Sequence, residues 1–145
     1  MLQRCLFLMV SGFLLTGCIG ISPPVAEVQA VRLDDSAAGG GRVLVEVKVS
    51  NPNDENLPMP RVSYEVDVVG AGQFAFTDIP YAALPRQGEQ TLVLPAAVRG
   101  QNIQGKQYRV SGTVVFQPEG NLRRFFYDNG LPRPRASFTA EGVLE

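Results

Sequence analysis

The sequence has 145 residues and contains no histidine, and both of its cysteines lie within the first 18 residues. The lack of histidine removes the commonest general base, the commonest proton switch near neutral pH and the commonest metal ligand. No phosphate-binding glycine loop, nucleophile elbow or cysteine–histidine cluster is present either. A net charge of −1 gives no general electrostatic basis for binding nucleic acid. We therefore expect no enzyme activity, no metal site, no cofactor and no nucleic-acid partner.

Only one long apolar run occurs, and it lies close to the N-terminus. Residues Cys5 to Leu15 form this run of 11 residues, and Arg4 precedes it. The run is too short to cross a bilayer core of about 30 Å as a helix, and it is typical of a secretory signal. The full sequence is 45% hydrophobic and 19% charged, which is ordinary for a chain with one folded domain.

The apolar run ends in a short motif, Leu15-Thr16-Gly17-Cys18, which resembles a bacterial lipobox. The resemblance implies that a diacylglycerol is attached to the Cys18 sulfur, that residues 1–17 are removed as a signal peptide, and that the new amine is acylated. Several acyl chains on one residue make a stable membrane anchor. The alternative is an ordinary cleaved signal that happens to contain a cysteine.

Residues 18–24 are predicted to be a short lipidated tether. Six residues, from Ile19 to Pro24, reach at most about 20 Å, so the domain is expected to lie close to the bilayer. In lipoproteins an aspartate after the cysteine favours inner-membrane retention, and Ile19 therefore favours the outer membrane, with the domain facing the periplasm. Cys5 leaves with the signal and Cys18 becomes a thioether. The mature fold must then be held by core packing without a disulfide.

The mature chain is dominated by alternating apolar and polar residues, most clearly between Val43 and Gly70. Val45 and Val47 share one face, whereas Glu46 and Lys48 fall on the other. A period of two predicts half-buried β-strands, and convincing helical periodicity is lacking. Seven candidate strands are Val25–Leu33, Val43–Ser50, Arg61–Val69, Gln73–Thr77, Gln90–Val98, Lys106–Gln117 and Ala136–Leu144.

These strands predict an all-β domain in residues 25–145, an antiparallel seven-stranded β-sandwich of the fibronectin III or immunoglobulin kind. Pro95 lies within one strand and cannot donate a ladder hydrogen bond, so we expect that strand at an edge or with a bulge. The segments Ile79–Gly88 and Gly120–Pro134 are predicted to be connections.

Two segments of the mature chain are candidate sites. Asn51, Pro52 and Asn53 favour a turn, because asparagine bonds to nearby backbone and proline fixes φ, and a recognition loop is the alternative. The segment 122–135 combines arginine with aromatic residues, as interfaces do, and is a candidate contact for a protein partner or for anionic headgroups. Its alternative is a hairpin with half-buried aromatic rings and solvated arginines. The candidate residues are Arg123, Arg124, Phe125, Phe126, Tyr127, Arg133 and Arg135.

Neighbouring acidic residues occur at Asp34-Asp35 and Asp54-Glu55. Carboxylates in a loop are ligands for hard cations, but neither pair has the spacing of a known calcium loop. We interpret them as solvated turn residues.

The stretch from Val45 to Asn53, with its alternating strand and Asn-Pro-Asn, resembles the late embryogenesis abundant (LEA) type 2 group, whose domain is also called the water stress and hypersensitive response (WHy) domain. Further matches are Leu57-Pro58-Met59, Val62-Ser63-Tyr64, Val68-Val69-Gly70, Leu92-Val93-Leu94-Pro95 and the Tyr108 to Phe116 strand. The resemblance implies a fibronectin III-like β-sandwich linked to desiccation and stress tolerance, with no known catalytic residues.

Together these features predict a membrane-anchored, non-enzymatic periplasmic lipoprotein that protects the cell in desiccation or other stress. Its partner would be the lipid bilayer, reached through the acyl chains of Cys18. The alternative function is an envelope binding module that docks a specific protein partner through the Arg- and Phe-rich segment.

Overall fold

The computed structural model describes residues 21–34, 41–100 and 102–145. The predicted signal peptide, its lipobox residues Leu15, Thr16 and Gly17, the acylation site Cys18 and the first part of the tether lie outside the described residues. The elements are β1 (Val25–Leu33), β2 (Gly41–Ser50), β3 (Leu57–Met59), β4 (Arg61–Val68), β5 (Gly72–Asp78), β6 (Ala82–Leu84), β7 (Glu89–Val98), β8 (Gln107–Val115), α1 (Asn121–Asp128) and β9 (Arg135–Val143).

The strands form three antiparallel sheets, in the orders β1-β2-β7, β5-β4-β8-β9 and β3-β6. The prediction of an all-β antiparallel domain is confirmed, but the predicted count of seven strands is wrong. Strand β3, between the predicted strands Val43–Ser50 and Arg61–Val69, pairs with β6, which lies inside the predicted connection Ile79–Gly88. Each has only three residues, which is too short for a period of two to be visible in the sequence.

The two larger sheets enclose one hydrophobic core. Successive side chains of a strand point to opposite faces, so every second residue of β2 and β4 is buried. Four valines of β2 are completely buried, namely Val43, Val45, Val47 and Val49. Their partners from the other sheet include Val66, Val110 and Phe138. The alternation that predicted the strands is therefore also what builds the core.

Pro95 lies on β7, which is an edge strand because it pairs only with β2 among the described strands. Its carbonyl oxygen accepts a hydrogen bond of 2.5 Å from the Tyr64 hydroxyl, which belongs to the other large sheet. Burial of this hydroxyl, together with the nearby Asp78 carboxylate, raises the pKa of Tyr64 to about 12. The expectation that the strand containing Pro95 is an edge strand is confirmed, and the Tyr64 hydrogen bond links this strand to the other large sheet.

Gly112 of β8 pairs with Phe138 of β9, and the aromatic ring lies directly over the glycine. A Cβ atom at residue 112 would lie 2.3 Å from the Phe138 Cζ atom. Real side chains do not approach so closely, and therefore only glycine fits at this position without moving the ring.

The segment Gly120–Pro134 connects β8 to its antiparallel partner β9, as predicted, but the expectation that the mature chain contains no helix is wrong. It contains α1, whose N-cap residue Gly120 offers no side-chain oxygen and whose first turn has no acidic residue. The start of the helix therefore lacks a side-chain cap and an acidic first turn, which are the clearest sequence signals of a helix start. Its end is closed by Asn129, whose side-chain amide donates to the Phe125 carbonyl at 2.7 Å. No helix in the described part of the chain is long and apolar enough to span a membrane.

Helix α1 shares one end of the domain with several loops. The Gln117 amide donates to the Pro58 carbonyl at 2.9 Å, and the Asn51 amide donates to the Gly88 carbonyl at 2.9 Å. The segments at this end, which we call the α1 end, are residues 21–24, 51–60, 79–88 and 116–134.

Candidate functional site

Helix α1 is held to the domain by one side only. Tyr127 is buried there, with 7% of its surface exposed. Beside it the Arg123 guanidinium lies 2.7 Å from Glu55 Oε2, and both side chains of this ion pair are about three-quarters covered. A helix of eight residues would be marginal alone in water. These two contacts therefore explain why the helix forms.

A second side of α1 is apolar and faces solvent. Leu122 is 65% exposed, Phe125 60% and Phe126 38%. Their spacing of three and four residues places them on one helical face, and the two phenylalanine rings meet edge to face at 5.8 Å. Leu131, which is 45% exposed, follows the helix and donates its amide to the Phe126 carbonyl. We call these four residues the apolar face of α1.

The four arginines of this segment do not form a single cluster. Arg123 faces inward to Glu55, and Arg133 binds Asp128 Oδ1 at 2.6 Å and Gln117 Oε1 at 2.8 Å. In the part of the chain that the structure describes, no ion pair involves Arg124 or Arg135. The structure thus divides the predicted site into residues that hold α1 in place and residues that remain available for contact with another molecule.

Two members of the apolar face, Leu122 and Leu131, were not among the predicted site residues. The signal for Leu122 was present, because its spacing to Phe125 and Phe126 fits one helical face. It was missed because the segment was taken to be a connection. Leu131 lies beyond the helix, and only the folded chain brings it beside Phe126.

The last residues of the predicted tether are docked against the domain. The Ser22 amide donates to Asn53 Oδ1 at 2.8 Å, and Asn53 Nδ2 donates to the Ser22 carbonyl at 2.9 Å. Ile21 packs against the core. Ile21 and Pro23 also line a groove of about 510 Å³ together with Tyr127, Leu131, Pro134 and Arg135. The N-terminal segment and the apolar face of α1 are therefore neighbours.

Asn51 is the buried polar side chain of the α1 end, with 3% of its surface exposed. Its amide nitrogen donates to the carbonyls of Glu55 and Pro85 at 2.8 and 2.9 Å. Its amide oxygen accepts from the backbone and side-chain nitrogens of Asn53 at 3.0 and 2.9 Å. The full bonding capacity of the Asn51 amide is used inside the protein, so Asn51 shapes the loop and offers nothing to a ligand.

The acidic residues in the loops are also engaged. Glu55 binds Arg123, Asp54 accepts a hydrogen bond from the Gln87 side chain, and Asp34 lies 3.5 Å from the Arg42 guanidinium. Asp35 lies outside the described residues. Within residues 21–34, 41–100 and 102–145, no three acidic residues or cysteines come together in a way that would hold a metal ion.

The fold is similar to two solved structures. One is the solution structure of a protein described as late embryogenesis abundant, At2g46140.1, with a TM-score of 0.58, 16% identity, and coverage of 90% of this chain and 75% of that protein. The other is AT1g01470 from Arabidopsis thaliana, with a TM-score of 0.53, 19% identity, and coverage of 86% and 84%. No protein-family profile matches the sequence, and no curated protein matches it. At these identities the likeness establishes the fold, which is LEA-like.

Proposed function

We propose that this chain is a non-enzymatic protective protein of the cell envelope. Acyl chains on Cys18 would hold it in the outer membrane, with the LEA-like domain facing the periplasm. The observation that carries the proposal is the similarity of the fold to a protein described as late embryogenesis abundant, over 90% of this chain. The lipobox residues Leu15 to Cys18 support the anchor.

A protective protein has to keep its own fold while water is removed, and the sheets of this domain have features suited to that. Their outer faces carry ion pairs between neighbouring strands, for example Lys48 with Glu89 at 2.7 Å and Arg109 with Glu141 at 2.7 Å. In water such exposed pairs contribute little. Because Coulomb attraction grows as the dielectric constant falls, they strengthen as the surface dries.

The proposal is tested by drying a dehydration-sensitive enzyme together with the mature chain. The control is an inert β-sandwich of equal size and charge, present at the same mass concentration. We expect clearly more enzyme activity after rehydration with the mature chain than with the control. Equal recovery in the two samples would reject a general protective role.

The anchor is tested separately, because protection and lipidation are independent claims. Intact-mass analysis of the mature protein should show cleavage before Cys18 and the added acyl groups. The Cys18→Ser variant should lose both. A mature protein without acyl groups would disprove the anchor and would leave the drying experiment unaffected.

A further inference from the structure

The apolar face of α1 points away from the core of its own domain. A surface helix normally turns its apolar residues inward, and here Leu122 and Phe125 are each at least 60% exposed while Tyr127 alone is buried. Leu131 extends this surface beyond the helix. Large apolar side chains grouped on an exposed surface are typical of a contact with another molecule or with a membrane.

The path of the N-terminal segment indicates what that contact is. Ser22 is fixed to Asn53 by two hydrogen bonds and Ile21 packs against the core, so the described chain is held at this end of the domain from Ile21 onward. Three residues separate Cys18 from Ser22, and the four steps between their Cα atoms span about 14 Å when the chain is extended. An acylated Cys18 would therefore lie within about 14 Å of the groove that Ile21 shares with Leu131 and Arg135.

Two arginines of this segment fit a bilayer surface. Arg124 lies on the other side of α1, about 150° around the helix axis from the apolar face. Arg135 lines the groove, and neither arginine has an ion pair in the described part of the chain. Leucine and phenylalanine on one face with arginine on the other is the pattern of helices that lie in the headgroup region. Free arginines are attracted there by anionic lipids.

We propose that the α1 end rests on the bilayer in which Cys18 is anchored, with Leu122, Phe125, Phe126 and Leu131 at the boundary between headgroups and acyl chains. The proposal rests on the lipidation of Cys18. The anchor raises the effective concentration of this face at the membrane, so a small apolar surface is sufficient. The domain then stands with its strands directed away from the bilayer and with its opposite end exposed to the periplasm.

The test uses the acylated full-length mature protein in vesicles of phosphatidylethanolamine and phosphatidylglycerol. Because the thiol of Cys18 is blocked, a single added cysteine can carry an environment-sensitive dye. One reporter is Leu131→Cys, and the other is Val143→Cys at the far end of β9. The eight steps from Arg135 to Val143 span about 26 Å. Lipids with a quencher in the acyl chains should quench the dye at residue 131 at least about threefold more than the dye at residue 143.

Serine variants identify the residues that bring the dye at residue 131 close to the acyl chains. Leu122→Ser, Phe125→Ser and Phe126→Ser together should abolish most of the quenching at residue 131. The matched control combines Val69→Ser and Val93→Ser, which replace exposed apolar side chains outside the α1 end and should leave the quenching unchanged. Circular dichroism of both combinations checks that each is folded.

Three outcomes would overturn the proposal. Equal quenching at residues 131 and 143, in protein whose acylation is verified by mass, disproves the orientation while leaving the anchor intact. Quenching that survives the triple serine variant removes the apolar face as its cause. Shielding of the dye at residue 131 in native envelopes but not in protein-free vesicles would identify a protein as the occupant instead of the bilayer.

Discussion

The Asn51 loop (residues 51–56) and helix α1 lie at the same end of the domain, and they depart from the usual rule of burial in opposite directions. The loop places a polar side chain inside, and the helix places large apolar side chains outside. Asn51 is 3% exposed and makes four hydrogen bonds within the protein. Phe125 is 60% exposed, and its ring contacts Phe126 at the surface.

The comparison separates a residue that determines the fold from residues that are available for binding. A buried amide with every bond satisfied contributes to stability and has no capacity left for a partner. An exposed apolar face contributes little to stability, because it becomes buried only when another surface covers it. Mutation of Asn51 should therefore lower stability, whereas mutation of the apolar face of α1 should weaken binding and leave stability nearly unchanged.

The largest effect is expected from Asn51→Ala. The substitution removes all four hydrogen bonds of a side chain that is 3% exposed, and it should lower the free energy of unfolding by about 3 kcal/mol. Denaturant unfolding of the mature chain measures this loss. As a control, Asn56→Ala removes a single bond to the exposed Arg86 amide and should cost well under half as much. Equal losses in the free energy of unfolding for the two variants would mean that the hydrogen bonds of Asn51 do not stabilise the loop more than that of Asn56 does.

A smaller effect is expected on the inner side of α1. Tyr127→Ala should lower the free energy of unfolding by about 2 kcal/mol, because it removes the buried contact that holds the helix. Phe125→Ala, on the outer side, should change it by less than about 0.5 kcal/mol. The same denaturant titration distinguishes the two sides. A larger loss for Phe125 than for Tyr127 would show that the faces of the helix have been assigned in reverse.

A hydrogen bond outside the α1 end provides a reference. Tyr64→Phe removes the bond to the Pro95 carbonyl and should cost about 1 kcal/mol at neutral pH. The fold raises the pKa of Tyr64 to about 12 from an ordinary value of 10.0, so its contribution is complete below pH 10 and is lost as the pH rises towards 12. Between pH 10 and pH 12, the free energy of unfolding should fall more steeply with pH for the wild type than for Tyr64→Phe. An equal fall in the two proteins would contradict the raised pKa of Tyr64.

The smallest effect is expected for the ion pair that connects the two regions, Arg123 with Glu55. A double-mutant cycle with Arg123→Ala and Glu55→Ala should give a coupling energy of about 1 kcal/mol or less, since both groups remain partly solvated. The coupling should weaken with added salt. A coupling of zero at low salt would show that Tyr127 alone positions the helix.

The sequence was sufficient to predict the seven strands of the two large sheets, since these strands alternate over several residues, but not the order in which they pair. It could not predict β3 or β6, whose three residues carry no period. Helix α1 was missed because Gly120 provides no cap and because its apolar face points to solvent instead of towards a core. The bonds between Ser22 and Asn53 join residues 31 positions apart, and no local pattern predicts such a contact.

The most direct test of the account is hydrogen exchange of the acylated protein on vesicles, compared with the unacylated mature chain in solution. The account predicts that amides of residues 121–131 exchange about tenfold more slowly on the vesicles, because the bilayer covers a helix that is otherwise weakly held. The amides of Asn51 and Asn53 should exchange at the same rate in both samples, because they donate hydrogen bonds within the domain. Unchanged exchange in residues 121–131 would contradict the account and would leave the apolar face of α1 without the bilayer as its partner.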